Sequence, residues 1–283
     1  MAFHGPSSDC HPNCLRAMNA QEDYVGFVFG LADASQRAAM LAVDLISSAR
    51  VIFKVDREYT AYSAQYLVDN AGPKKETAGQ GEWEQGRGVT MNDLVEYLRD
   101  IAIPKETDQE RPELTVKDCL ECAFRDGLPK AEHWGHLGCV SKVPPFASLI
   151  PRVPMKGKVL EAEKWGRGGA ALLRKQPVGA KLHVFSPEID LVDEGVGFYD
   201  GPAGRGSTYV GLRDVMITGF GRRKGKKFAE LRICYKKKSK FIKVSLERVL
   251  TSLPRDGEEP QVIEPTGLLV DFIVPRFSKK RRA

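Results

Sequence analysis

The side chains best suited to chemistry fall into three groups. Cys119-x2-Cys122 followed by His133-x2-His136-x2-Cys139 has the pairing and spacing that zinc takes. Cys10-His11-x2-Cys14 offers a second, smaller set near the start of the chain. Both have an ordinary reading. Cys119 and Cys122 fall within a helical pattern beside Leu120 and Ala123-Phe124, where free cysteine is a common small core residue. Core packing and a histidine-bearing loop are expected for the first set, an irregular arm for the second, and no metal or cofactor is expected. His183 lies mid-strand in KLHVF and reads as a satisfied or exposed strand residue. GRGG at 166–169 lacks the strand and the Lys-Ser/Thr that a phosphate loop needs. Trp83, Trp134 and Trp165 read as packing or cleft-wall aromatics, and no paired-carboxylate site stands out.

The third group is cationic. The net charge is +6, and most of the excess sits in GRRKGKK (221–227), KKKSK (236–240) and SKKRR (278–282). The residues concerned are Arg222, Arg223, Lys224, Lys226 and Lys227, then Lys236, Lys237, Lys238 and Lys240. Such runs attract nucleic acid, acidic partners or import receptors, or are simply solvated loops. The first two runs are expected at the ends of neighbouring strands, where they merge into one patch. Phe228, Tyr235 and Phe241 between them give weak support for base stacking.

These residues sit on a chain of 283 residues, 42% hydrophobic, long enough for one large domain or two packed lobes. No apolar run approaches the ~20 residues that span a bilayer. MAFHGPSSDCHPNC does not read as a secretory leader, and six scattered cysteines do not read as a disulfide framework. Cytosol or nucleus is the expected compartment, with no membrane partner.

Helices come first. FVFGLADASQRAAMLAVDLISSAR (27–50) reads as a long central helix and VIFKV (51–55) as a short strand. SAQYLVDNAGP (63–73) is a helix capped by Ser63, and TMNDLVEYLRDIAIP (90–104) is another, capped by Thr90. TVKDCLECAFRDGLP (115–129) has a Thr115 cap, Asp118 at the third helical position and Gly127 at its end. The proline-punctuated stretch VSKVPPFASLIPRVPMKG marks a boundary near 140–155. Strands follow: GKVLEAE, GAKLHVFS, GVGFYDGP, DVMITGFG, FAELRICYK and FIKVSL, interrupted by one helical stretch, GRGGAALLRKQ. This is an α+β chain with segregated helices and strands. The expected organisation is an arm (1–18), a helical lobe (19–150), a strand lobe (151–250) and a tail (251–283) with one apolar island, GLLVDFIV.

The order of these pieces resembles the papain-like cysteine peptidases. GGAALLRKQPVGAKLHVF (168–185) is similar to the family's helix, Gln-Pro-Val and barrel strand. GVGFYDGP is similar to its Gly-aromatic-Tyr-x-Gly-Pro turn, and SAQYLVDN to its Ser-Glu-Gln-x-Leu-Val-Asp-Cys helix. GRGVTMNDLVEYLRD and FVFGLADASQ resemble the glycine-rich turn with its helix and the start of the central helix. GLRDVMITGFG (211–221) resembles the strand that begins with the catalytic histidine and ends in Gly-Tyr-Gly. The resemblance covers roughly residues 19 to 250. It implies a helical lobe on a central helix, a β-barrel lobe and an active cleft between them.

On that resemblance the family's histidine falls on Arg213, its nucleophilic cysteine on Gly26 and its oxyanion-hole glutamine on Gln21. The Asn-Ser-Trp-Gly segment is missing; RICY runs through KKKSK into FIKV in its place. The peptidase needs a thiolate beside an imidazolium that then protonates the leaving amine. Glycine supplies no sulfur, and a guanidinium holds its proton far above neutral pH. Losing one member of such a unit removes on the order of 10⁴–10⁶ of the rate. Papain-type proteolysis is therefore not expected. A binding or scaffold role with protein partners is the first expectation. The alternatives are nucleic-acid association through the basic runs, and a relocated thiol (Cys10, Cys14 or another) with His11 or His183 as base.

Overall fold

The structure is a computed structural model, and it describes residues 34–72, 113–134, 147–163, 172–192, 197–204, 206–236, 238–255 and 258–278. The chain divides into a helical unit, Leu31–Val43 with Ala61–Lys156, and a sheet unit holding Asp44–Thr60 and Gly157–Ala283. Among the described residues no helix is long and apolar enough to cross a membrane.

The first helix, α1 (Ala34–Ile52), runs past the expected end. VIFKV is not a strand. Val51 and Ile52 favour β-structure by type, yet they complete the last turn of α1. The Phe53 N–H donates to the Ala49 carbonyl at 2.9 Å, and Lys54 at φ 56° turns the chain out. The Arg50 guanidinium then donates two 2.7 Å hydrogen bonds to Asp56, fixing the exit with a buried ion pair. Burial of Val51 outweighs its local preference.

In the helical unit, α2 (Ala64–Asn70) and α3 (Val116–Asp126) start at the expected caps. The Ser63 hydroxyl accepts from the Tyr66 N–H at 3.1 Å and donates to the Trp134 carbonyl at 2.7 Å. Thr115 and Asp118 form a reciprocal capping box, and α3 ends at Gly127. Trp134 packs edge-on against Tyr66 with centroids 5.0 Å apart, and its Nε1–H donates to Asp69 at 2.9 Å. A buried indole thus finds its polar partner.

The sheet unit holds a seven-stranded sheet in the order β1-β9-β2-β4-β5-β6-β3 and a separate β7–β8 pair. The strands are β1 (Gly157–Ala162), β2 (Val178–Ser186), β3 (Phe198–Tyr199), β4 (Thr208–Arg223) and β5 (Lys226–Tyr235), then β6 (Lys238–Ser245), β7 (Val249–Arg255), β8 (Glu258–Gly267) and β9 (Leu269–Phe277). Among the described residues only the β3–β6 pairing is parallel. One face carries Val178, Ala180, Leu182, Ile217, Leu231 and Val244 into a common core. Each large side chain so buried contributes about 1.5–3 kcal/mol. The same core takes in Phe272 and Val274, because the expected apolar island of the tail is β9 itself, hydrogen-bonded between β1 and β2.

Against β2 lies the second half of α1. A Cβ on Gly179 would stand 2.9 Å from Leu45 Cδ1 and 2.8 Å from Ile273 Cγ2, so any side chain there would force one or both to shift. Arg232 of β5 is ion-paired with Asp44 of α1, with both side chains buried or nearly so.

Candidate functional site

The site expected from the resemblance is only partly open to description. Gly26 and Gln21 lie outside the described residues, as do Cys10, His11, Cys14, His136, Cys139, Trp83, Trp165 and GRGG. The helix expected at 90–104 and the residues 279–283 lie outside them too.

Arg213 is described. It stands in β4 opposite Leu182 of β2, after the left-handed Gly211 (φ 121°). Its side chain is half-buried, and its Nη1 donates to the Leu212 carbonyl at 3.0 Å. The neighbour of interest is His183, opposite Leu212. His183 is 7% exposed, and its Nδ1 lies 3.1 Å from the Tyr209 hydroxyl. Burial holds the imidazole below its ordinary pKa, with Asp271 working weakly against that. The ring is therefore neutral near pH 7, and its partner is a phenol. Burial also raises the Tyr209 hydroxyl's pKa.

Tyr209 is not among the site residues expected from sequence. Tyr209 stands opposite Phe185, just past a bulge between Val184 and Phe185 that sequence does not announce. The bulge is pinned by Tyr199, whose hydroxyl donates to the His183 carbonyl at 3.0 Å and accepts from the Phe185 N–H at 2.8 Å.

The described thiols sit in different settings. Cys119 and Cys122 are buried on α3, and Cys234 of β5 is half-buried. Burial, then the nearby Asp126 carboxylate, pushes the Cys122 thiol up to about 12. A thiol so raised is neither a ready nucleophile nor a ready metal ligand. His133 is exposed, with its Nε2 3.6 Å from Glu132. Among the described residues no group of three His, Cys, Asp or Glu is placed to hold a metal.

The two basic runs do not merge. One lies at each end of β5, because β4–β5 and β5–β6 are successive antiparallel hairpins. Nine steps from Lys226 to Tyr235, at about 3.4 Å each, set them roughly 30 Å apart. Arg222, Arg223, Lys224, Lys226 and Lys227 are exposed around the first turn. In the second run, Lys236 pairs with Asp190 at 2.8 Å, and the Lys240 ammonium donates to the Ile189 and Val192 carbonyls at 2.7 and 3.2 Å. Lys238 begins β6, and Lys237 lies outside the described residues. Phe228 is buried, so it offers no face for stacking.

Comparison with known proteins places this geometry. Residues 2–156 match the HEAT-INDUCED TAS1 TARGET N-terminal domain. The chain is 51% identical over 276 residues to Protein HEAT-INDUCED TAS1 TARGET 1 of Arabidopsis thaliana, covering 95% of this chain and 94% of that protein. With Protein HEAT-INDUCED TAS1 TARGET 4 of the same plant it shares 51% over 277 residues, covering 95% and 94%. Among solved structures it is similar to procathepsin B S9 of Trypanosoma congolense, with a TM-score of 0.51, 12% identity, and 95% and 81% of the two chains covered. It is also similar to the ragweed pollen cysteine protease Amb a 11 in its proform, with a TM-score of 0.50 and 13% identity. That match covers 86% of this chain but 59% of the proform. At such identities the likeness is one of fold: an α+β, papain-like frame. By its sequence, the chain belongs to the HEAT-INDUCED TAS1 TARGET family.

Proposed function

We propose that this chain keeps the papain-like frame without the peptidase chemistry and works inside the cell as a binding or scaffold subunit for protein partners. The observation that carries this reading is Arg213. It occupies β4 where the resemblance expects the catalytic histidine, and its guanidinium is turned onto its own backbone at Leu212. A guanidinium does not take and return a proton near pH 7. The nearest described imidazole, His183, is buried against a phenol, and Cys122 is held protonated by burial. A relocated thiol–imidazole pair gains no support from these residues. The Arabidopsis relatives are named as heat-induced TAS1 targets, which supports a heat-responsive role for this chain as well.

The test is hydrolysis of a mixed peptide library by the full-length protein. The reading expects no cleavage above buffer, with or without thiol alkylation. Cleavage abolished by alkylation would overturn it. Transcript abundance before and after heating tests the heat-responsive part, which expects a rise.

A further inference from the structure

The β4–β5 hairpin ends in a two-residue turn, with Lys224 at φ 49° and Gly225 at φ 82°. Both residues are left-handed, as a type I′ turn requires, and Asn-Gly fits that turn best. Lysine at the first position gains the turn nothing. Behind it, Arg223 stands opposite Lys226 and Arg222 opposite Lys227. Directly opposed Cβ atoms lie about 4.5–5.5 Å apart, and like charges there oppose folding. All of residues 222–227 are exposed. Lys226 meets Asp200 at 3.3 Å and the Phe198 ring at 5.9 Å. Among the described residues, Arg222, Lys224 and Lys227 have no carboxylate within ion-pair distance.

Arg222, Lys224 and Lys227 thus carry charge that no described carboxylate pairs, and one of them is a cation where the turn prefers asparagine. An external polyanion would supply the missing counter-charge. We propose that the tip of the β4–β5 hairpin is a contact for the sugar-phosphate backbone of nucleic acid. Two features favour phosphate over an acidic peptide. Arg222 presents a planar guanidinium fork that matches phosphate oxygens bidentately. Every tip residue except Gly225 is cationic, and a phosphodiester chain carries a charge on every nucleotide. An extended acidic peptide sends successive carboxylates to opposite sides and offers only half of them. The rings at the base do not read sequence, since Phe228 is 7% exposed and Phe198 meets it edge-on at 6.4 Å. The contact is therefore electrostatic and indifferent to base. It does not rest on the scaffold reading and survives its failure.

The test uses the full-length protein and a fluorescent oligothymidylate, read by anisotropy across a salt series. The wild type is expected to bind at low salt and to weaken as salt rises. The triple variant Arg222→Gln, Lys224→Gln, Lys227→Gln is expected to bind at least about ten-fold more weakly. Its log–log salt slope should be flatter by about 2, at ~0.7 for each phosphate no longer neutralised. Lys236→Gln, at the other end of β5, should stay within about two-fold of wild type. These sites are exposed, and an unchanged circular dichroism spectrum confirms folding. Absence of binding at low salt overturns the proposal. So does a triple variant that binds as wild type, a Lys236→Gln loss equal to the triple's, or tighter binding of polyglutamate of equal length.

Discussion

Strand β5 is entered through one basic hairpin and left through another. At the exit, Lys236 reaches Asp190, and Lys240 is spent on the carbonyls of Ile189 and Val192. At the entrance, Arg222 faces Lys227 and Arg223 faces Lys226 across an exposed ribbon. Between them, Arg232 is paired with Asp44 of α1. The strand and its two flanking hairpins hold cations in three settings: as structural cross-link, as loop anchor and as outward-facing charge. Composition does not separate them. Setting does, because a cation stabilises the fold only where the fold supplies its partner.

Substitutions in β5 and its two hairpins separate these settings in graded steps. Arg232→Ala leaves the Asp44 carboxylate buried without its partner, and chemical denaturation should show a loss of about 3–5 kcal/mol. A loss near that of an exposed lysine would mean that the pair is not what couples β5 to α1. Lys240→Met strips the ammonium from two carbonyls and should cost about 1–3 kcal/mol in the same assay. Lys224→Asn suits the left-handed turn, so it should stabilise by roughly 1 kcal/mol while weakening oligothymidylate binding. Stability and binding would then move in opposite directions, which sharpens the claim that the tip is kept basic for a purpose other than folding. Lys236→Gln removes a solvent-exposed ion pair and should leave the melting temperature nearly where it was.

The pH response separates these cations from the buried imidazole. Lysine and arginine as side-chain types titrate well above pH 8. Burial lowers the folded-state pKa of His183 below its ordinary 6.5. Below that ordinary value the unfolded chain takes up a proton that the folded chain resists, so stability falls as pH falls. His183's contribution is fully present above 6.5 and is lost progressively below it. Thermal melts from pH 8 to 5 should show this decline, and His183→Gln should flatten it.

Much of the local structure is legible in the sequence. Ser63, Thr115, Asp118 and Gly127 end or start helices through backbone hydrogen bonds that need only neighbours in sequence. Gly219-Phe220-Gly221 lies near the end of β4, and each expected strand after residue 156 contains or overlaps an observed one. What fails depends on distance. VIFKV misleads because α1 continues into buried Val51, a tertiary effect that β-propensity cannot foresee. β8 is hidden by Pro260 and Pro265, which demote a strand on paper but are tolerated in an isolated pair. β9 shows as an apolar island but not as a member of the sheet, since its partners β1 and β2 lie far earlier in the chain. The two basic runs are expected to merge, yet the single ten-residue strand between them already implies that they stand at opposite ends. Arg213 can be located by resemblance, but its turn toward Leu212 and the His183–Tyr209 pair cannot.

The most direct test of a papain-like frame without thiol chemistry is intact-mass measurement. The full-length protein is incubated with a cysteine-peptidase epoxide inhibitor, with a generic alkylating agent as control. No epoxide adduct is expected, and the buried Cys119 and Cys122 should react with the alkylating agent only slowly or after unfolding. One stoichiometric epoxide adduct on a single cysteine would reveal an activated thiol and contradict this reading.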